Sequence, residues 1–479
     1  MSNGISKRTK WSYCVGATGR DAAYVLVSMF ILTYIQYTMK LTIPQFSVIS
    51  AAMVICMIWD AVNDLMMSTI IENSHLKGGK YRPFIIVGAL LNAAVLVAMF
   101  TIRPTGWGFV IFFCIIYLLW GMTYTVNDIA YWGMLPSLSS DPKERDSLVT
   151  LMGIFVCIGQ FSVAGIVPIV IAGNAVNAFR VIALIVALGF IAFQTLTYFG
   201  VTENPREETG DKVTLKGMAR ILARNDQLIH IGIAYILFCV GQQLLLLLAV
   251  NFFYFEFGYS GAGDLITIFT VMYGLGTLAA QFIYPILSSK ISRMKILTIC
   301  IICLVAGYLL LLSFGYVLPM NVVVLNITGF VIFLCQGLYN LAVIVMVNNT
   351  IEYDEARFGE RHDSIISAIR SFASKLSNAL NQGAASLILI VSGIYAVSQS
   401  ISALEVEIGN GSLDSETALA MADGYIRQVL PGQTFMLRMG MVFVPLLAMI
   451  AAFIIIKAKY RIDEAEYERL VSEIEKRKK

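Results

Sequence analysis

Asp60 and Asp64 stand four residues apart in the run Trp59-Asp60-Ala61-Val62-Asn63-Asp64. At helical spacing both point to one face, and Asn63, three residues after Asp60, joins that side. Two carboxylates so close in a low-dielectric setting repel, and one tends to hold a proton. A bound cation removes the conflict, and carboxylate, amide and hydroxyl oxygens are what a hard cation needs. Pairing of both carboxylates with basic residues for helix packing is the plainer alternative.

A second cluster, Thr123-Tyr124-Thr125-Val126-Asn127-Asp128, is followed by Trp132. Thr125 and Asp128 are neighbours at i,i+3, and Trp132 stands one turn beyond Asp128. A carboxylate beside an indole suits a sugar: hydroxyls donate to the acid and a C–H face stacks on the ring. The alternatives are a membrane-interface role for Trp132 and a bond from Thr125 to its own helix. Arg20-Asp21 with Tyr24 places a cation, a carboxylate and an aromatic near the first membrane entry, or else an interfacial ion pair. Farther on, Arg370, Ser371, Ser374, Lys375, Asn378 and Gln382 form a polar stripe at spacings of three and four. A helix emerging into water explains that stripe equally. Gln336 with Asn340, then Asn348, Asn349 and Glu352, and separately Gln242, Gln243 and Asn251, are softer signals that interhelical hydrogen bonding also accounts for.

These residues lie in a very apolar chain. Of 479 residues, 58% are hydrophobic and 14% charged, against about 25% charged in soluble proteins. The apolar residues come in blocks of membrane-spanning length. They run continuously rather than alternating, which predicts helices. Twelve spans are expected, near 13–39, 46–71, 84–102, 109–136, 148–173, 178–200, 228–256, 264–288, 295–317, 321–350, 363–396 and 431–458. A charge at the bilayer centre costs roughly 2.5–3.5 kcal/mol on insertion scales, so the polar clusters are expected to face a cavity or a partner.

Lys and Arg concentrate in alternate connecting segments, which places both termini in the cytoplasm. The basic side includes Lys7, Arg8 and Lys10; Lys77, Lys80 and Arg82; Lys143 and Arg145; Arg206 and Lys212; Lys290 and Arg293; Arg357 and Arg361; and the tail from Lys457. Residues 398–432 read as an acidic outer loop, and 460–479 as a charged helix in water or at the membrane surface. The expected organisation is an N-terminal six-helix bundle (1–200), a cytoplasmic linker (201–227), a C-terminal six-helix bundle (228–459) and a cytoplasmic tail (460–479). That is an all-α membrane protein of the major facilitator fold, whose two halves rock about a midplane site. It is placed in the cytoplasmic membrane.

Other functions find little support. A net charge of +3, with no basic patch interleaved with aromatics, gives no nucleic-acid partner. The eight cysteines lack metal-ligand spacing. His75, His230 and His362 lie outside the span centres, and no nucleophile–base arrangement suggests an enzyme. No cleavable signal peptide is apparent.

Ile58-Trp59-Asp60-Ala61-Val62-Asn63-Asp64, the loop Gly79-Lys80-Tyr81-Arg82-Pro83, the run Trp120–Thr125, and Asp128 with Trp132 together resemble the glycoside–pentoside–hexuronide:cation symporters. The resemblance covers most of the N-terminal half and thins through the tenth and eleventh spans. It implies that Asp60, Asn63, Asp64 and Thr125 match the family's cation site. Asp21, Asp128 and Trp132 match its sugar site, with Arg20, Tyr124 and Lys375 near it. Tyr24, Asn340, Arg370, Ser371 and Ser374 complete the expected substrate set. The sequence also departs from the family's melibiose-type members. Met152 falls where they carry a sugar-binding arginine, Asn340 (beside Tyr339) replaces an aromatic, Asn349 an aspartate, and Arg370 an uncharged polar residue.

The expected activity is symport of a sugar or glycoside with Na+, Li+ or H+, with no organic cofactor and with lipid as the surroundings. Arg370 and Lys375 would suit an anionic sugar such as a hexuronide, because arginine binds carboxylate bidentately. An uncoupled facilitator or exchanger of the same fold is the second expectation.

Overall fold

The computed structural model describes residues 5–74, 78–139, 142–203, 215–359 and 363–478. His75, Lys77, Arg206, Lys212, Arg361, His362 and the middle of the expected linker lie outside the described residues.

The first six helices are α1 (Lys7–Thr38), α2 (Ile43–Glu72), α3 (Arg82–Thr101), α4 (Trp107–Leu138), α5 (Pro142–Ile171) and α6 (Ala175–Gly200). A short α7 (Leu215–Arg224) lies within the segment expected as a linker. It is followed by α8 (Asp226–Phe257), α9 (Ala262–Ser288), α10 (Arg293–Ser313), α11 (Val322–Phe358) and α12 (Asp363–Val391). The chain ends with α13 (Ile394–Gly409), α14 (Ser415–Arg427), α15 (Pro431–Lys459) and α16 (Glu464–Lys478). Among the described residues, 11 helices are long and apolar enough to cross a membrane. A twelfth crossing results if α12 and α13, bent by 91° at their break, form one span. The helices start and stop where local chemistry dictates. Thr42 and Gln45 form a reciprocal capping box with a proline in the first turn of α2. Gly393, at φ +75°, breaks α12 from α13 in a conformation that costs glycine little.

The described chain divides into two compact units. The first comprises Met1–Glu208, Phe253–Thr267 and Leu389–Thr434, the second Thr209–Phe252, Ile268–Ile388 and Phe435–Lys479.

In the first unit α1 is buried along most of its length and packs against α5 and α6. Close helix approach depends on small residues: a Cβ at Gly159 would lie 2.2 Å from the Thr18 carbonyl oxygen. Buried amides and hydroxyls join the helices. Asn127 donates to the Ile85 carbonyl and to Gln194 Oε1, Gln194 donates to the Gly16 carbonyl, and Thr197 to the Ser12 carbonyl. Met152 is buried in an apolar cluster with Tyr13, Tyr131 and Leu148.

Residues 398–432 correct the loop expectation, because most of them are helical. The acidic composition concealed an apolar face, with Ile394, Tyr395, Ile401 and Leu404 buried on α13. Glu405, 1% exposed, accepts from the backbone N–H groups of Gly173 (2.7 Å) and Ala175 (2.6 Å) and from the Tyr259 hydroxyl (2.8 Å). Asp423 on α14 accepts from the N–H groups of Tyr259 and Ser260. Gln399 accepts from Leu41 N–H and donates to the Gln36 carbonyl, and the Tyr395 ring stacks on Phe46 at 4.0 Å. The α1–α2, α5–α6 and α8–α9 turns are thereby fastened to one side excursion. Asp414 caps α14 through Thr417 N–H at 2.8 Å, a bond that holds its carboxyl below the usual range.

In the second unit α10 packs on α11. The tail helix α16 also differs from the sequence expectation: it folds back on α11 through Leu470, Ile474 and Ala356. Arg293 pairs with Glu464 at 3.1 Å, and the Tyr460 hydroxyl donates to the Met346 carbonyl. The tail's charges had masked this apolar stripe. Nearby, Arg224 and the buried Asp354 pair at 2.8 Å.

Candidate functional site

Helix α2 carries Asp60, Asn63 and Asp64, and α4 supplies Thr125. The Thr125 hydroxyl, 2% exposed, stands 2.9 Å from Asp60 Oδ1 and 3.2 Å from Asp64 Oδ1. The i,i+4 spacing on α2 and the position of Thr125 on α4 thus bring two carboxylates around one hydroxyl. Asn63 is buried, and its Nδ2 has no hydrogen-bond partner among the described residues. Gly121 leaves the space open: a Cβ there would stand 3.4 Å from Asp60 Oδ1. A cavity of about 20 Å³ adjoins Asp60 between Cys56, Tyr117 and Gly121, enough for a single water. The donor set is two carboxylates, an amide and a hydroxyl, which is hard-oxygen chemistry suited to a small cation.

One to two turns farther along α4 a second group assembles. Arg20 on α1 donates from Nε (3.0 Å) and a terminal nitrogen (2.7 Å) to Asp21 Oδ2. Its other terminal nitrogen is 3.3 Å from Asp128 Oδ1. The guanidinium lies 4.7 Å from the Tyr131 ring centre and 5.3 Å from that of Trp132, within cation–π range. The pair is buried. Asp21 Oδ1 accepts from Gln160 Nε2 on α5 at 3.1 Å. Trp132 is 43% exposed. The Tyr24 and Tyr124 rings are 5.3 Å apart, and both stack near Trp120.

The structure therefore brings Asp60, Asp64 and Thr125 together, with Asn63 beside them on α2. It also brings together Arg20, Asp21, Asp128 and Trp132, and pairs Tyr24 with Tyr124. Asn340 on α11, and Arg370, Ser371, Ser374 and Lys375 on α12, belong to the second unit. There Asn340, Arg370, Ser374 and Lys375 are half-buried and Ser371 is exposed. On the same helix Ser377 and Asn381, which are not part of that polar stripe, donate to carbonyls of α8. Sequence reasoning missed Gln160 and Tyr131. The one available signal for Gln160 was its standing alone in the apolar block of α5.

A bundle of this length and helix order is a transporter fold, and solved structures agree. A D-xylose–proton symporter matches with a TM-score of 0.59 at 16% identity, over 89% of this chain and 98% of that one. A nucleoside transporter matches with a TM-score of 0.59 at 14% identity, over 93% of this chain and 100% of that one. At such identities the likeness shows the major facilitator fold alone. The family described as MFS/sugar transport protein matches residues 12–464, and the chain belongs to that family.

Among its relatives is the raffinose carrier protein of Pediococcus pentosaceus, 25% identical over 80% of this chain and 62% of that protein. The lactose permease of Leuconostoc lactis is 24% identical over 97% of this chain and 71% of that protein. The glucuronide carrier protein homolog of Escherichia coli (strain K12) is 22% identical over 100% and 98%. The resemblance drawn from the α2 and α4 motifs is thus borne out. The relatives are carriers and permeases rather than enzymes. The chain spans about three fifths of the length of the raffinose carrier.

Proposed function

We propose that this protein is a secondary active transporter that couples inward movement of Na+, Li+ or H+ to uptake of a sugar or glycoside. It acts as a multi-pass protein of the cytoplasmic membrane, with both termini inside. The six-helix segments 1–200 and 228–459 form its moving halves. The observation that carries the reading is the single Thr125 hydroxyl between the carboxylates of Asp60 and Asp64.

In this reading Asp60, Asn63, Asp64 and Thr125 take the cation, which neutralises their mutual repulsion. Asp128 accepts sugar hydroxyls, Trp132 stacks on the ring, and Arg20, Asp21, Tyr24 and Tyr124 shape the wall. Asn340, Arg370, Ser371, Ser374 and Lys375 are further substrate contacts in this reading, on the strength of the sequence alone. Each ligand raises the other's affinity by the same factor. One cation crossing 100 mV supplies about 2.3 kcal/mol, roughly 50-fold accumulation.

The test is uptake of lactose, raffinose and a glucuronide into membrane vesicles, with imposed sodium and proton gradients, for the wild type and Asp64→Ala. Gradient-driven uptake is expected in the wild type and lost in the variant, with sugar counterflow retained. Uptake with the same cation dependence in both removes the cation site, and counterflow in the wild type with no cation dependence leaves the facilitator or exchanger.

A further inference from the structure

We propose that α13 and α14, between α12 and α15, form a strap that holds one end of the bundle shut, and that Glu405 is the latch by which the strap lets go. The inference rests on the reading of 1–200 and 228–459 as halves that move against each other, and on nothing about sugar or cation.

The first unit joins residues 1–208 to 253–267 and 389–434, so it contains pieces of both halves. The strap meets the bundle at the α1–α2, α5–α6 and α8–α9 turns. Helix α13 packs on α1 and α6. Gln399 accepts from Leu41 N–H at 2.8 Å, and the Tyr395 hydroxyl donates to the Leu41 carbonyl at 3.1 Å. Glu405 takes Gly173 N–H at 2.7 Å on one oxygen and Ala175 N–H at 2.6 Å on the other. Ala175 opens α6, so the carboxylate also meets the positive end of that helix. Beside the strap, the Tyr37 ring centre lies 5.3 Å from that of Tyr254 and 5.8 Å from that of Tyr259.

These bonds sort by the half they belong to. Asp423 accepts from the N–H groups of Tyr259 and Ser260, and Glu405 from the Tyr259 hydroxyl; all of these residues are in 228–459. The bonds of Glu405 to Gly173 and Ala175, and of Gln399 and Tyr395 to Leu41, cross to 1–200. When the halves part, the strap therefore stays with the second half and gives up the crossing bonds. The groups it releases on 1–200 are main-chain N–H and C=O groups at turns, which water can satisfy. A carboxylate suits the latch. Its bonds to N–H groups are charge-assisted while the end is closed, and the ion is well hydrated once it opens. Closed and open arrangements are two populations, and this side chain biases them toward the closed one.

The test needs neither sugar nor gradient, so failure of the proposed symport leaves it readable. In a cysteine-free chain, Val176→Cys and Leu41→Cys serve as separate reporters. Val176 is 2% and Leu41 6% exposed, and Leu41 keeps its strap bonds because they are main-chain. Membrane fragments open on both faces are treated with a charged maleimide, and labelling is read at each residue by mass spectrometry. Both reporters are expected to react slowly, and Glu405→Gln to speed both about tenfold. A second variant tightens the strap. A Cβ at Gly409 would stand 2.9 Å from Val176 Cβ, inside the roughly 3.5–4.5 Å of a disulfide. Val176→Cys with Gly409→Cys thus needs only a slight shift to be cross-linked by copper phenanthroline. The cross-link is expected to slow labelling of Leu41→Cys severalfold, and dithiothreitol to restore it. Unchanged rates in a monodisperse Glu405→Gln protein overturn the latch. So does a faster Val176→Cys beside an unmoved Leu41→Cys, which makes Glu405 a local packing residue. A cross-link that leaves Leu41→Cys as reactive as before, or a pair that never cross-links, overturns the strap, and this arm decides alone if Glu405→Gln is not monodisperse.

Discussion

The hydroxyl of Thr125 on α4 lies 2.9 Å from the Asp60 carboxylate on α2, a contact between two helices whose polar residues share no sequence neighbourhood. A hydroxyl has one proton to donate and keeps lone pairs for a cation. With Asp64 also 3.2 Å away, Thr125 is central to the cation site proposed above. Thr125→Val keeps the volume and removes the oxygen. It is expected to raise the cation concentration for half-maximal uptake by about tenfold or more, with far less effect on sugar binding without cation. Uptake titrated with sodium, lithium and pH checks this. An unchanged half-maximal concentration places the cation elsewhere.

Glu405 receives donors from Gly173, Ala175 and Tyr259. Glu405→Gln keeps the shape but turns an N–H group toward donors. A cost of about 1–3 kcal/mol is expected for such buried mismatches, read as a lower unfolding midpoint in detergent. The free cysteines, which are buried or half-buried, allow the transition to be followed with a thiol-reactive dye. A midpoint equal to wild type would show that the bonds contribute nothing net.

Arg293 finds its carboxylate on the tail, at Glu464. Because Glu464 is partly exposed, a double-mutant cycle with Arg293→Gln and Glu464→Gln should show coupling of about 1 kcal/mol or less. Removal of α16 should cost more, since Leu470 and Ile474 leave their seat on Ala356. Thermal unfolding of the truncated chain distinguishes the two contributions, and equal midpoints for truncation and Glu464→Gln would refute the apolar one.

The proposal that both termini are cytoplasmic rests on the Lys and Arg distribution alone. Single cysteines at Lys7 and Glu475 in a cysteine-free background should resist a membrane-impermeant maleimide in intact cells and react after permeabilisation. Labelling of either in intact cells reverses the orientation.

The spans were legible because hydrophobic run length is set by the bilayer and needs no partner to interpret it. Asp60, Asn63 and Asp64 were legible for a related reason, since spacing along one helix fixes a shared face. What spacing cannot express is contact across helices. The bond from Gln160 to Asp21 joins residues 139 apart in sequence, and a lone glutamine in an apolar block signals packing as readily as function. Met152, which stands where an arginine was expected, is buried among Tyr13, Tyr131 and Leu148, a packing role that no spacing announces. Residues 398–432 misled because charge was weighed over the apolar stripe beneath it, and the tail, a helix as expected, hid its docking stripe in the same way.

Glu405 has a mechanical consequence. Because Gly173, Ala175 and Tyr259 all lean on one acid, a twist of α13 at the Gly393 elbow reaches distant stretches of chain at once. Force applied there would not be absorbed turn by turn. Those three attachments share one anchor, and loosening it would free them together.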